Sequence, residues 1–163
     1  MESVTVSPAD LLAIAGMFGG FLIQNYAEWR GGGPKLPDTA AVRHMFPVQN
    51  DRVRWLALVF VSILVIVVCT VSLTLNMVWI VVAIASALAL NAVVQMIISL
   101  HLKAIQPGTL SGLAFMLPPS LWVAISLGQQ AGWTAILAGP LLSFPILFGV
   151  WWLAAFLDRP GPD

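Results

Sequence analysis

Hydrophobic residues fill this chain in long unbroken blocks, and most polar residues are crowded into the gaps between them. The blocks at 55–75, 77–102, 109–128 and 132–157 are each long enough for a helix to cross roughly 30 Å of hydrocarbon at 1.5 Å per residue. An opening block over 10–29 is similar, although polar residues enter it near its end. The pattern therefore predicts an all-α integral membrane bundle of five transmembrane helices, forming a single membrane domain over residues 1–163. Residues 1–10 hold no Lys or Arg, and no small-x-small cleavage site follows the first block. That block is accordingly read as a retained helix and not as a secretory leader.

Residues 30–54, RGGGPKLPDTAAVRHMFPVQNDRVR, form the one long polar connection. Its glycines and prolines predict irregular backbone, with room for a short surface helix between Thr39 and Met45. The Gly-Gly-Gly-Pro-Lys run lacks both the preceding strand and the Gly-Lys-Ser/Thr ending of a phosphate loop. His44, alone in this loop, reads as a solvated side chain. Pro118, Pro119, Pro140 and Pro145 fall inside the last two blocks and are read as bends tolerated by packing.

Within the apolar blocks, a few polar side chains recur at helical spacing. Gln24 and Glu28 stand four residues apart, as do Asn91, Gln95 and Ser99, so each set shares a helix face. Counted back from Arg30 and Lys103, Gln24 lies roughly 9 Å and Gln95 roughly 12 Å from the basic ends of their helices. The two polar faces thus overlap in depth. Gly16-x-x-x-Gly20 in the first block and Ala83-x-x-x-Ala87 in the third are small-residue patches that would let these two helices approach each other. Such contact would set the two polar faces beside one cleft. Amides at this depth can act as interhelical glue, worth only about 0.6 kcal/mol each. A carboxylate, by contrast, needs a partner or a wet cavity. His101 lies about 240° around the helix from Gln95 and reads as a headgroup-level residue.

All seven basic residues, Arg30, Lys35, Arg43, Arg52, Arg54, Lys103 and Arg159, fall on one side of the predicted topology. The N-terminus is then expected outside and the C-terminus in the cytoplasm. Trp29, Trp55, Trp151 and Trp152 mark the inner interface, and Trp79 and Trp133 the outer one, whereas Trp122 lies within the fourth block and has no belt role. A formal charge of zero is not the basic surface that nucleic acid requires. Cys69 is the only cysteine, which excludes an internal disulfide. One carboxylate among amides does not make a zinc or iron site, so neither metal nor cofactor is expected.

Around these polar residues the chain resembles the HxxEE family of small bacterial membrane proteins, a family without an assigned activity. The family's His-x-x-Glu-Glu is matched by QNYAE at 24–28, in which Gln24 stands at the His, Ala27 at the first Glu, and Glu28 keeps the second. NAVVQ at 91–95 and HLKAIQPG at 101–108 are similar to its later Asn, His and Pro-Gly elements, with Asn91, Pro107 and Gly108 kept and Gln95 at the His. The resemblance implies a bacterial inner-membrane protein. It also implies that any metal held by relatives is lost here, because the histidines are replaced by glutamines.

These residues lead to an expectation of acid/base chemistry on a lipid-soluble, isoprenoid-like substrate, such as cyclisation or isomerisation, in a cytoplasmic-side cleft. Glu28 is the expected acid or base, since a carboxyl group shielded from water can keep and deliver a proton near neutrality. Gln24, Asn25, Asn91 and Gln95 would orient it or the polar end of the substrate, and the rings of Tyr26 and Trp29 would face a developing cation. The alternative is a non-catalytic lipid-binding or accessory subunit. Membrane lipids and an apolar small molecule are the expected partners, with homo-oligomerisation left open.

Overall fold

Helix boundaries follow directly from local chemistry at the chain's caps. The computed structural model describes residues 6–32 and 50–158. The expected helix at Thr39–Met45, His44 and three of the basic residues (Lys35, Arg43 and Arg159) lie outside the described residues. Helix α1 runs Pro8–Arg30 and begins with a capping box in which the Ser7 hydroxyl accepts from the Asp10 N–H while the Asp10 carboxylate accepts from the Ser7 N–H. Helix α2, Asp51–Thr74, starts four residues before the apolar block because Asn50 caps it, its side-chain oxygen accepting from Val53 N–H at 2.7 Å.

Helix α3, Val78–His101, follows a tight turn in which Asn76 takes a left-handed φ of 55°. There the Met77 N–H bonds back to the Ser72 carbonyl at 2.8 Å, closing the end of α2. The same device recurs at the end of α3, with Lys103 at φ 49° and the Ala104 N–H on the Ser99 carbonyl. Helix α4, Thr109–Ser126, carries a π segment at Gly112–Met116. A short helix α5, Gly128–Ala131, leads into α6, Trp133–Leu157, which runs unbroken through Pro140 and Pro145.

The π turn has an identifiable cause. In an α-helix the Ala114 and Phe115 carbonyls would be paired with the N–H groups of residues 118 and 119, and both are prolines. The backbone widens instead, and Leu117 N–H bonds to the Gly112 carbonyl five residues back.

Among the described residues there are no strands. Four helices, α2, α3, α4 and α6, are long and apolar enough to cross a membrane, the pattern of a multi-pass membrane protein. Helix α1 has the length but is not among these four. Side by side, α1 packs on α4, α4 on α3, α3 on α6, α6 on α2, and α2 on α1. Of the four, helix α3 is the most enclosed: half of its most apolar stretch is buried, against 11% for α6, which lies at the outside of the bundle against α3 and α2.

The expected pairing of small-residue patches is corrected here. Gly20 of α1 meets the backbone of Phe115 and Met116 in the π segment of α4, and Gly16 faces Pro119. Ala83 of α3 lies under Gly139 of α6, so close that a side chain there would strike the Ala83 carbonyl. Each patch does permit a close backbone approach. The partner in both cases is a different helix, and α1 and α3 do not run side by side.

Candidate functional site

The buried stripe of α1 reads Asp10, Ile14, Met17, Phe21, Gln24, Glu28, alternating steps of four and three residues. Such steps keep one line of side chains facing the bundle. The stripe is apolar in its middle and polar at both ends. On α3 the buried line passes through Leu88, Ala92, Gln95 and Ser99. The two polar lower ends converge, although the helices that carry them are separated, because Gln and Glu side chains are long enough to bridge what the backbones do not.

At the centre is Glu28, 7% exposed. Its Oε1 accepts from Gln24 Nε2 at 3.0 Å, and Gln95 Nε2 donates to the same oxygen from the other helix. Glu28 Oε2 makes no hydrogen bond with any described residue, and no described Lys, Arg or His forms an ion pair with Glu28. With both amide nitrogens turned to the carboxylate, Gln24 Oε1 and Gln95 Oε1 are left buried without a partner. An orphaned acceptor of this kind costs about 1–3 kcal/mol.

The turn after α3 closes the centre from one side. Ser99 organises that turn, its hydroxyl accepting from Gln106 N–H at 3.0 Å and lying 2.9 Å from the Thr109 hydroxyl. This places Gly108, at a φ of 85°, directly over the acid: a methyl group there would lie 2.6 Å from Glu28 Cγ. Gly112, one turn on, would bring its methyl within 2.8 Å of Gln24 Oε1. Pro107 packs in turn on Gly31, just past the end of α1.

The remaining expected site residues are placed elsewhere. Asn25 is buried but turns to α2, donating to the Ser62 hydroxyl at 2.9 Å. Tyr26 and Trp29 are 58% and 46% exposed and stack tilted against each other on the outer face of α1, with ring centroids 5.8 Å apart. Asn91 is half-buried one turn above Gln95 and has no hydrogen bond to the described residues. His101 is exposed at the end of α3. Among the described residues no group of three His, Cys, Asp or Glu side chains could hold a metal ion.

At the opposite end lies a second polar cluster that the sequence reading missed. Asp10 Oδ1 accepts from Ser126 Oγ at 2.7 Å and from Trp122 Nε1 at 3.3 Å, while Oδ2 accepts from the Ser7 hydroxyl and N–H. This accounts for Trp122, which binds the head of α1 to the far end of α4. A shallow hollow of about 290 Å³ lined by Trp79, Ala131, Thr134, Ala135 and Ala138 lies near this end and includes none of the expected site residues.

The resemblance to the HxxEE family rests on the motif residues alone: compared with protein-family models, curated proteins and solved structures, the chain matches none of them.

Proposed function

We propose that this protein is a five-span membrane protein of the bacterial inner membrane whose Gln24–Glu28–Gln95 centre acts on a lipid-soluble molecule, with Glu28 as general acid or base. The carrying observation is the contact of one buried carboxyl group with amides from two different helices, one of its oxygens making no hydrogen bond with the described residues. Buried ionisable groups inside a membrane bundle are costly and are kept for work. The four basic residues among those described, Arg30, Arg52, Arg54 and Lys103, stand at the end of the bundle nearest Glu28. They support a cytoplasmic position for that end.

In this reading Gln24 and Gln95 fix the carboxyl group through Oε1 and leave Oε2 to exchange a proton. An isomerisation balances simply: Glu28 delivers its proton to a double bond of an isoprenoid-like chain, and the resulting cation returns a neighbouring proton to the carboxylate. Substrate would enter from the Asn91 side, since Gly108 and Gly112 close the other.

Deuterium exchange tests this whatever the product. Purified protein in lipid nanodiscs, incubated in deuterated water with isoprenoid lipids, is expected to place deuterium in the lipid, as read by mass spectrometry. Glu28→Gln is expected to stop incorporation while lipid retention persists. Equal incorporation by the variant would remove Glu28 from the chemistry.

The tight glycine contacts around Glu28 favour a second reading, a non-catalytic lipid-binding or accessory subunit. It gives no deuterium incorporation by either protein, with retention unchanged.

A further inference from the structure

The hydrogen-bond balance of the centre is lopsided. Gln24 is fully buried and Gln95 is 9% exposed, and the oxygen of each amide lacks a donor. No described cation pairs with the Glu28 carboxyl group. Two buried amide oxygens, one from each glutamine, are therefore left facing the centre without donors. A molecule bound here gains by bringing a hydrogen-bond donor. One that brings phosphate or carboxylate oxygens adds acceptors to acceptors and buries a negative charge with no described cation to meet it.

From this imbalance, and resting on the lipid-site reading above, we infer that the ligand's polar end is a hydroxyl group and not a phosphate, diphosphate or carboxylate. The hydroxyl donates to the Gln95 amide oxygen, whose nitrogen is already committed to Glu28. Asn91, half-buried one turn along α3 and without a hydrogen bond to the described residues, lies on the approach and can donate to the hydroxyl oxygen. The hydrocarbon tail then runs from Gln95 past Asn91, the side from which substrate enters in this reading. Glu28 Oε2 stays unoccupied for proton exchange.

The test compares head groups on one tail. Geranylgeraniol, geranylgeranyl phosphate and geranylgeranoic acid are titrated against the full chain in nanodiscs of zwitterionic lipid, with retention read by native mass spectrometry. The alcohol is expected to bind at least about ten-fold more tightly than either anion, and Gln95→Met to weaken the alcohol by about ten-fold, the loss of one buried hydrogen bond. Asn91→Leu, at a half-buried position, supplies a second variant should Gln95→Met fail to fold. Phosphate or carboxylate binding as tight as that of the alcohol overturns the inference while leaving a lipid site in place, as does alcohol binding untouched by both Gln95→Met and Asn91→Leu. Retention of none of the three lipids by the wild-type chain overturns the lipid-site reading and this inference together.

Discussion

At the scale of single residues, the polar centre depends on one backbone conformation. Gly108 combines a left-handed φ of 85° with a position 2.6 Å from Glu28 Cγ for any added methyl group. The conformation alone costs a non-glycine residue about 1–2 kcal/mol, and the overlap adds to it. Gly108→Ala is therefore expected to lower the thermal midpoint in detergent by several degrees and to break the Glu28–Gln95 contact. An unchanged midpoint would show that the turn has room to give. Much of this centre was legible in the sequence: four-residue spacing placed Gln24 with Glu28, and depth counting placed Gln95 at their level. Asn25 and Tyr26 could not be sorted by composition, because each step along a helix turns the side chain by about 100°, away from Glu28 and toward α2 or lipid. Gly108, Gly112 and Ser126 gave no local signal of what they touch. Their meaning lies in partners far along the chain.

The helices themselves were readable from apolar length, whereas their pairing was not. Small-residue spacing says that a close approach is possible and is silent on the partner. Gly20 and Ala83 both make such approaches, one to α4 and the other to α6. Glycines on these helices should accordingly differ in tolerance. Gly139→Ala drives a methyl group into the Ala83 carbonyl and is expected to cost about 1–3 kcal/mol. Gly149 of the same helix has no neighbour within 4 Å, so Gly149→Ala is expected to be neutral or to stabilise by about 0.5–1 kcal/mol through the better helix former. Unfolding of the two variants in detergent, side by side, checks the contrast. Similar losses at both sites would mean that Gly139 does not sit against the Ala83 carbonyl.

For the whole molecule, the ends of the bundle differ in kind. One end gathers Arg30, Arg52, Arg54 and Lys103, and Asp158 joins α6 to α2 there through Arg52 at 3.2 Å and Asn50 at 2.6 Å. The other end has Asp10 and its donors but no described basic residue. Cys69 is fully buried, so introduced cysteines can be read against a silent background. With a membrane-impermeant maleimide, Gln129→Cys is expected to label in intact cells and Lys103→Cys only after permeabilisation. The reverse pattern would invert the topology proposed here. The π turn of α4 lies between these two ends and sets their relative rotation. A π turn takes up one residue more than an α turn, so forcing α geometry on the unshortened chain would rotate everything beyond it by about 100°. Replacing Pro118 and Pro119 with alanine gives the Ala114 and Phe115 carbonyls back their donors and permits that rewinding. The Trp122 indole and Ser126 hydroxyl would then be carried away from the Asp10 carboxylate, while the glycines over Glu28 stayed in place. Two substitutions would thus sever the outer clasp and spare the inner centre, making the two polar ends of α1 separable by genetics.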